Sequence, residues 1–401
     1  MADWAPGRAE TNPPGLIELR VPRTLFGIGA LKGIADLVRE IGSNKILIVT
    51  DPGVARAGII ADVQAALASG GLEAAVFDQC GPEAPVSSVE EVCRKARKGG
   101  YDLLIGVGGG SAMDATKAAG LLAANPDCSV QDLIEGRPPA KSLSKILIPT
   151  TAGTGSEWST VAVFTTDTTD DRNYAYVTGA NLPEAVIIDP ELTRDLPARI
   201  TGDAGIDALT HAIEAYTSAR ANLVTDMYAS TAIKLVATSL GRAYAKGSEH
   251  VEERYRLSIA AAMAMLAGSV GGVGLAHFMN HALHHKKVQL SHGAKVGLLL
   301  PYVMEYNLVS GPERFAEIAR LLGENTRDLS TADAALESVA AMRRLLSNLG
   351  VPQRLSEVGI TEADIPGMVE ELMSFQAIPM ALQNPREVGP EEAREIFLKA
   401  L

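Results

Sequence analysis

Five of the chain's seven histidines, His277, His281, His284, His285 and His292, fall between positions 277 and 292. A sixth, His211, follows Asp207 by four residues in the stretch GIDALTHAIEAYTS. On a helix, residues four apart project from one face. His277 and His281 repeat that spacing, and His292 opens the next helical pattern. One Asp/His pair is ordinarily a helix-surface interaction, whereas three such elements together point to a divalent cation. A carboxylate with neutral imidazoles suits Fe2+ or Zn2+ and leaves positions open for a substrate. Thiolate sites are excluded here, because Cys80, Cys93 and Cys128 all lie in the other half of the chain.

A second chemistry is written in the first half. Gly106–Asp114, GVGGGSAMD, lies between an apolar strand and a helical pattern. Its consecutive glycines let the backbone approach a pyrophosphate, and the amides at the following helix start bind its charge. Ser111 stands where the last glycine of G-x-G-x-x-G would be, so the alternative is a tight turn with no ligand. Pro149–Glu157, PTTAGTGSE, also follows a strand, and two such loops on neighbouring strand ends favour a nucleotide. Asp51 ends the strand NKILIVT, where a carboxylate accepts ribose hydroxyls and repels a 2′-phosphate, favouring NAD over NADP. The competing reading is a cap for the next helix.

The elements that must position these residues follow from periodicity. From Leu31 to about residue 150, amphipathic helices alternate with strands apolar on both faces, which predicts a parallel sheet covered by helices on both sides. Residues 160–189 read as a hairpin, with a polar turn DTTDDRN, and a last strand. DPELTRDLP marks a boundary near residue 195. Beyond it the pattern is helical over 203–218, 222–245, 251–268, 270–285, 293–306, 312–321, 331–348, 361–373 and 390–400. The expected organisation is an α/β dinucleotide-binding domain over residues 1–195 and an all-helical metal-binding domain over 196–401. Residues 1–16 read as a loose arm.

Length and composition agree. At 401 residues two domains are the natural expectation. A net charge of −12 without a basic run argues against nucleic acid or an anionic membrane as partner. Three unpaired-looking cysteines fit a reducing compartment, and with no signal segment visible the expectation is cytoplasmic. The uncharged run Leu257–Asn280 is rich in Ala, Gly and Ser and reads as packed buried helices rather than a membrane span.

Together the motifs GGGSAMDATK (108–117), PTTAGTGSE (149–157), DALTHAIEAYTS (207–218), HFMNH (277–281) and HGAKVGLLLPYVMEYN (292–307) resemble the iron-dependent (group III) alcohol dehydrogenase family. The resemblance runs from Leu25 to Arg386. It implies that Asp207, His211, His277 and His292 bind the metal and that His281 is a proton relay beside the nicotinamide. It also implies that Gly109, Gly110, Ser111 and Asp114 hold the cofactor and that Thr150, Thr151, Thr154 and Ser159 line the same cleft. Asp51 matches the position at which members with an aspartate prefer NAD. A homodimer or larger homo-oligomer, and a small alcohol or aldehyde substrate handled between the two domains, are implied as well. One departure is His284-His285-Lys286-Lys287, where many members have a glycine pair. It reads as a helix end favoured by the dipole, or as an acceptor for an anionic aldehyde. The rivals are a cyclising lyase similar to dehydroquinate synthase, which would need basic residues for a phosphorylated polyol, and a non-catalytic binding protein.

Overall fold

The computed structural model describes residues 19–137, 139, 141–166, 173–375 and 383–401. The expected N-terminal arm and most of the polar hairpin turn lie outside these residues.

Six strands, β1 (Arg23–Phe26), β2 (Ile46–Val49), β3 (Ala74–Phe77), β4 (Leu103–Gly108), β5 (Ser144–Pro149) and β8 (Ala185–Ile188), form one sheet in the order β1-β8-β5-β4-β2-β3. Every pairing in it is parallel. The hairpin β6 (Val161–Thr165) and β7 (Asn173–Val177) stands apart as an antiparallel pair. The sheet forms because its strands are apolar on both faces. Leu47 and Val49 pack with Val89 and Val92 of α4 (Val86–Gly99), Ala115 and Ala118 of α5 (Gly110–Ala124), and Leu133 of α6 (Val130–Ile134). Ile46 and Ile48 face the other way, onto α1 (Ile34–Ile41) and α3 (Ile59–Ser69). Each such buried side chain contributes roughly 1.5–3 kcal/mol, so the alternation fixes both faces at once.

The strand order decides where a ligand fits. From β2 the chain runs outward to β3, then returns to β4 on the opposite side of β2. The connections leaving β2 and β4 therefore diverge to opposite faces, and the crevice at their carboxyl ends is the switch point of an open α/β sheet. Asp51 follows β2 there, and Gly109 follows β4.

Beyond β8 the chain is helical: α7 (Ala198–Thr217), α8 (Leu223–Lys246), α9 (Val251–Gly271), α10 (Leu275–His285), α11 (His292–Asn307), α12 (Pro312–Leu321), α13 (Thr331–Asn348), α14 (Ile365–Phe375) and α15 (Pro390–Ala400). Two compact units result, one of Val21–Ala204 with Arg242–Met265, the other chiefly of Gly205–Gly241 and Leu266–Leu401. The uncharged run from Leu257 is split between α9 and α10, and among the described residues no helix is long and apolar enough to cross a membrane.

Candidate active site

Three side chains from three helices of the second unit meet at one point. Asp207 on α7, His277 on α10 and His292 at the start of α11 place ligand atoms within 4.8 Å of one another. Asp207 Oδ1 lies 3.6 Å from His277 Nε2 and 3.5 Å from His292 Nε2. His211, one turn along α7, has Nδ1 4.0 Å from the same oxygen, and its ring stacks on His277 with centroids 4.3 Å apart. Two ligand atoms each about 2.1 Å from a tetrahedral centre stand roughly 3.4 Å apart, so these spacings leave room for a cation among them. The decisive detail is what the atoms lack. Asp207 Oδ1, His211 Nδ1 and His277 Nε2 are buried without a hydrogen-bond partner, which normally costs about 1–3 kcal/mol each. A cation among Asp207, His277 and His292 would satisfy Asp207 Oδ1 and His277 Nε2, so these three residues fit a divalent metal, while His211 lies outside that converging group.

The electrostatics agree. Burial pushes the Asp207 carboxyl up, but His211, His292 and His277 outweigh it and hold the group below the usual carboxylate range. Burial and the neighbouring His277 bring His211 down to about 4. Burial also opposes protonation of His277, yet Glu214 and Asp207 raise it to about 10.

Glu214 was not among the expected residues. It is buried on α7, and its Oε2 sits 2.5 Å from His277 Nδ1. Asn280 was also missed, and its Nδ2 lies 3.2 Å from His292 Nδ1. A signal for Glu214 exists in the sequence: positions 207, 211 and 214 share one helical face.

In the other unit the expected cofactor residues surround the switch point. Asp51 caps α2 (Pro52–Arg56), its Oδ1 accepting from the amides of Gly53 and Val54 at 2.7 and 3.0 Å. Its Oδ2 lies beside Gly108, where an added Cβ would stand 3.4 Å from it and 2.7 Å from the Ala112 Cβ. A Cβ on Gly110 would come within 2.9 Å of Thr154, and one on Gly109 within 3.4 Å of Thr151. The glycines thus bring the two turns together as well as exposing backbone. The Thr150 amide joins them, donating to the Gly108 carbonyl at 2.9 Å. Other side chains here have protein partners. Ser111 Oγ accepts from the Glu83 amide, and Ser159 Oγ from the Val161 amide. Asp114 takes Ser156 Oγ at 2.6 Å, the Val163 amide at 3.1 Å and the fully buried Lys117 Nζ at 3.3 Å. Glu157 is buried alongside, and desolvation raises its carboxyl to about 7.

Known proteins decide the family. A family model described as iron-containing alcohol dehydrogenase matches residues 22–190, and one for the C-terminal part of the Fe-containing alcohol dehydrogenase family matches residues 201–401. The chain belongs to the iron-containing alcohol dehydrogenase family. It is 36% identical over 382 residues to 1,3-propanediol dehydrogenase of Klebsiella pneumoniae, covering 94% of this chain and 96% of that one. It is also 36% identical over 385 residues to the NAD-dependent methanol dehydrogenase of Bacillus methanolicus, covering 95% and 98%. The crystal structure of a 1,3-propanediol oxidoreductase superposes with a TM-score of 0.91 at 35% identity, covering 96% of this chain and all of that one.

Two features of this iron-containing alcohol dehydrogenase remain to be placed. His281 is half-buried one turn beyond His277, its ring edge-on to Phe278 at 6.1 Å, and outside the converging ligand group. In the unusual cluster that ends α10, Lys286 gives its ammonium to Asp364 at 3.0 Å, while Lys287 is exposed with φ +55°. The side chains of His284 and His285 lie outside the described ones.

Proposed function

We propose that this chain is an NAD(H)- and iron-dependent dehydrogenase that interconverts a small alcohol with its aldehyde or ketone, Zn2+ being an alternative metal. The observation that carries it is the convergence of unpartnered Asp207 Oδ1 and His277 Nε2 with His292 Nε2, in a chain of this family. Asp207, His211, His277 and His292 would hold the cation. When bound, the cation supplies Lewis acidity at the substrate oxygen, and the nicotinamide supplies or takes the hydride.

The rest falls to the chain's own groups. The backbone of Gly109, Gly110 and Ser111, at the start of α5, binds pyrophosphate, and Asp51 Oδ2 accepts from the ribose hydroxyls. Asp114 braces the two turns from inside, while Thr150, Thr151, Thr154 and Ser159 wall the cofactor cleft. His281 carries the proton to or from the substrate hydroxyl. The NAD preference is supported by Asp51 and by the NAD-dependent methanol dehydrogenase among the relatives. A homodimer is part of the proposal.

The test is NADH oxidation over a panel of small aldehydes and ketones with metal-stripped enzyme reconstituted with Fe2+ or Zn2+. Metal-dependent, stoichiometric NADH consumption is expected. Turnover that survives stripping defeats the metal assignment, and a reaction that leaves NADH unchanged points to a cyclising lyase.

A further inference from the structure

We propose that Glu214 is a positioning residue of the metal centre. It orients His277 and supplies the second buried negative charge that a dication there requires. The inference rests on the metal reading above and extends it beyond the ligands.

Both carboxylate oxygens of Glu214 are engaged. Oε2 accepts from the Gly274 amide at 2.9 Å and meets His277 Nδ1 at 2.5 Å. Oε1 accepts from the amides of Ala276 at 2.8 Å and His277 at 3.3 Å. Since α10 starts at Leu275, the carboxylate stands where a helix leaves donors unpaired and its dipole is positive. The position before the helix is Gly274, which has no side chain to cap with, so the cap comes from α7. Gly274 is also what admits it: a Cβ there would lie 2.8 Å from Glu214 Cδ.

The consequence for His277 is chemical. Once a metal displaces the second proton that the two carboxylates favour on this ring, a neutral imidazole that donates Nδ1–H to a carboxylate has its lone pair on Nε2, the atom facing Asp207 Oδ1 at 3.6 Å. Glu214 thereby selects the tautomer a ligand needs and locks the ring plane. Charge counting points the same way. Asp207 and Glu214 are 3% and 4% exposed, and with neutral imidazoles their two charges balance one dication. Without Glu214 the loaded centre is a net cation in a buried place.

Glu214→Gln keeps the size and one acceptor but removes the charge. Zn2+ and Co2+ affinities of wild type and variant are measured by competition with a chromophoric chelator, together with the visible Co2+ spectrum and the melting temperature of the metal-free proteins. The variant is expected to bind about 10- to 100-fold more weakly with a changed Co2+ spectrum. A helix cap alone would lower the metal-free melting temperature and leave affinity and spectrum as they were, and that result overturns the proposal. Should Glu214→Gln not fold, Gly274→Ala decides, because it pushes the carboxylate away without removing it. Weakened Co2+ binding supports the assignment and unchanged binding defeats it. Failure of wild type to bind one metal per chain would instead defeat the underlying metal reading.

Discussion

A carboxyl group sealed from water answers to pH differently from one in a flexible chain. Glu157 is 2% exposed, and burial lifts it from 4.5 to about 7 against the pull of its own backbone amide and Lys117. Between those values the folded chain holds a proton that the unfolded chain has released. Stability therefore falls as pH rises through that window and levels off above it, by on the order of 3 kcal/mol. Glu157→Gln removes the titration, so the gap between variant and wild type in urea unfolding should widen from about pH 4.5 to 7. Parallel curves would show that Glu157 is ionised throughout. At this scale the sequence is legible where a residue acts through its spacing. Asp207 and His211 are visible at i, i+4, and Glu214 was open to view at i+7. It went unseen because its partner His277 lies 63 positions away, and spacing on one helix says nothing about which helix it meets.

An element can carry two roles at once, and α2 is proposed to do so, as a capped helix and as part of the cofactor site. Asp51 Oδ1 is spent on the helix start, and Oδ2 is turned toward Gly108. The structural and functional readings of this residue are thus compatible, one oxygen each, and substitution separates them. Asp51→Asn keeps a capping oxygen and loses the charge, whereas Asp51→Ala loses both and costs about 1 kcal/mol of stability. Both should raise the kcat/KM ratio of NADPH to NADH, and only Ala should lower the melting temperature. An unchanged ratio in Asn would reduce Asp51 to a cap. Element boundaries were readable where a local signal exists. Pro312 and Pro390 open α12 and α15, and Ser330 caps α13, so those spans coincide with the periodicity. The packing of Thr154 on Gly110 leaves no such mark, because it joins two turns through a contact that neither turn encodes alone.

For the whole molecule, the sheet was legible because doubly buried strands admit few alternatives. The membership of Arg242–Met265 in the sheet-containing unit was not, since helical periodicity reports an apolar face and not its partner. The two proposed ligands belong to different units, and hydrogen exchange can read each separately. Zn2+ or Fe2+ should slow exchange in residues 205–217 and 275–295, and NADH in residues 104–114 and 149–160. At a hundredfold excess over Kd, each ligand adds about 2.7 kcal/mol. NADH protection confined to residues 275–295 would sink the cofactor assignment. The cluster of one carboxylate oxygen and imidazole nitrogens has a last consequence, outside the test tube. Ligands of this kind bind Zn2+ more tightly than Fe2+ in the general order of divalent affinities, and nothing in the spacing of Asp207, His277 and His292 rejects the stronger binder. If the centre binds a metal as proposed, the ion it takes is then expected to follow supply. The metal content of purified batches should therefore change with the Fe2+ and Zn2+ given to the culture, and a content indifferent to the medium would show that the site selects its ion.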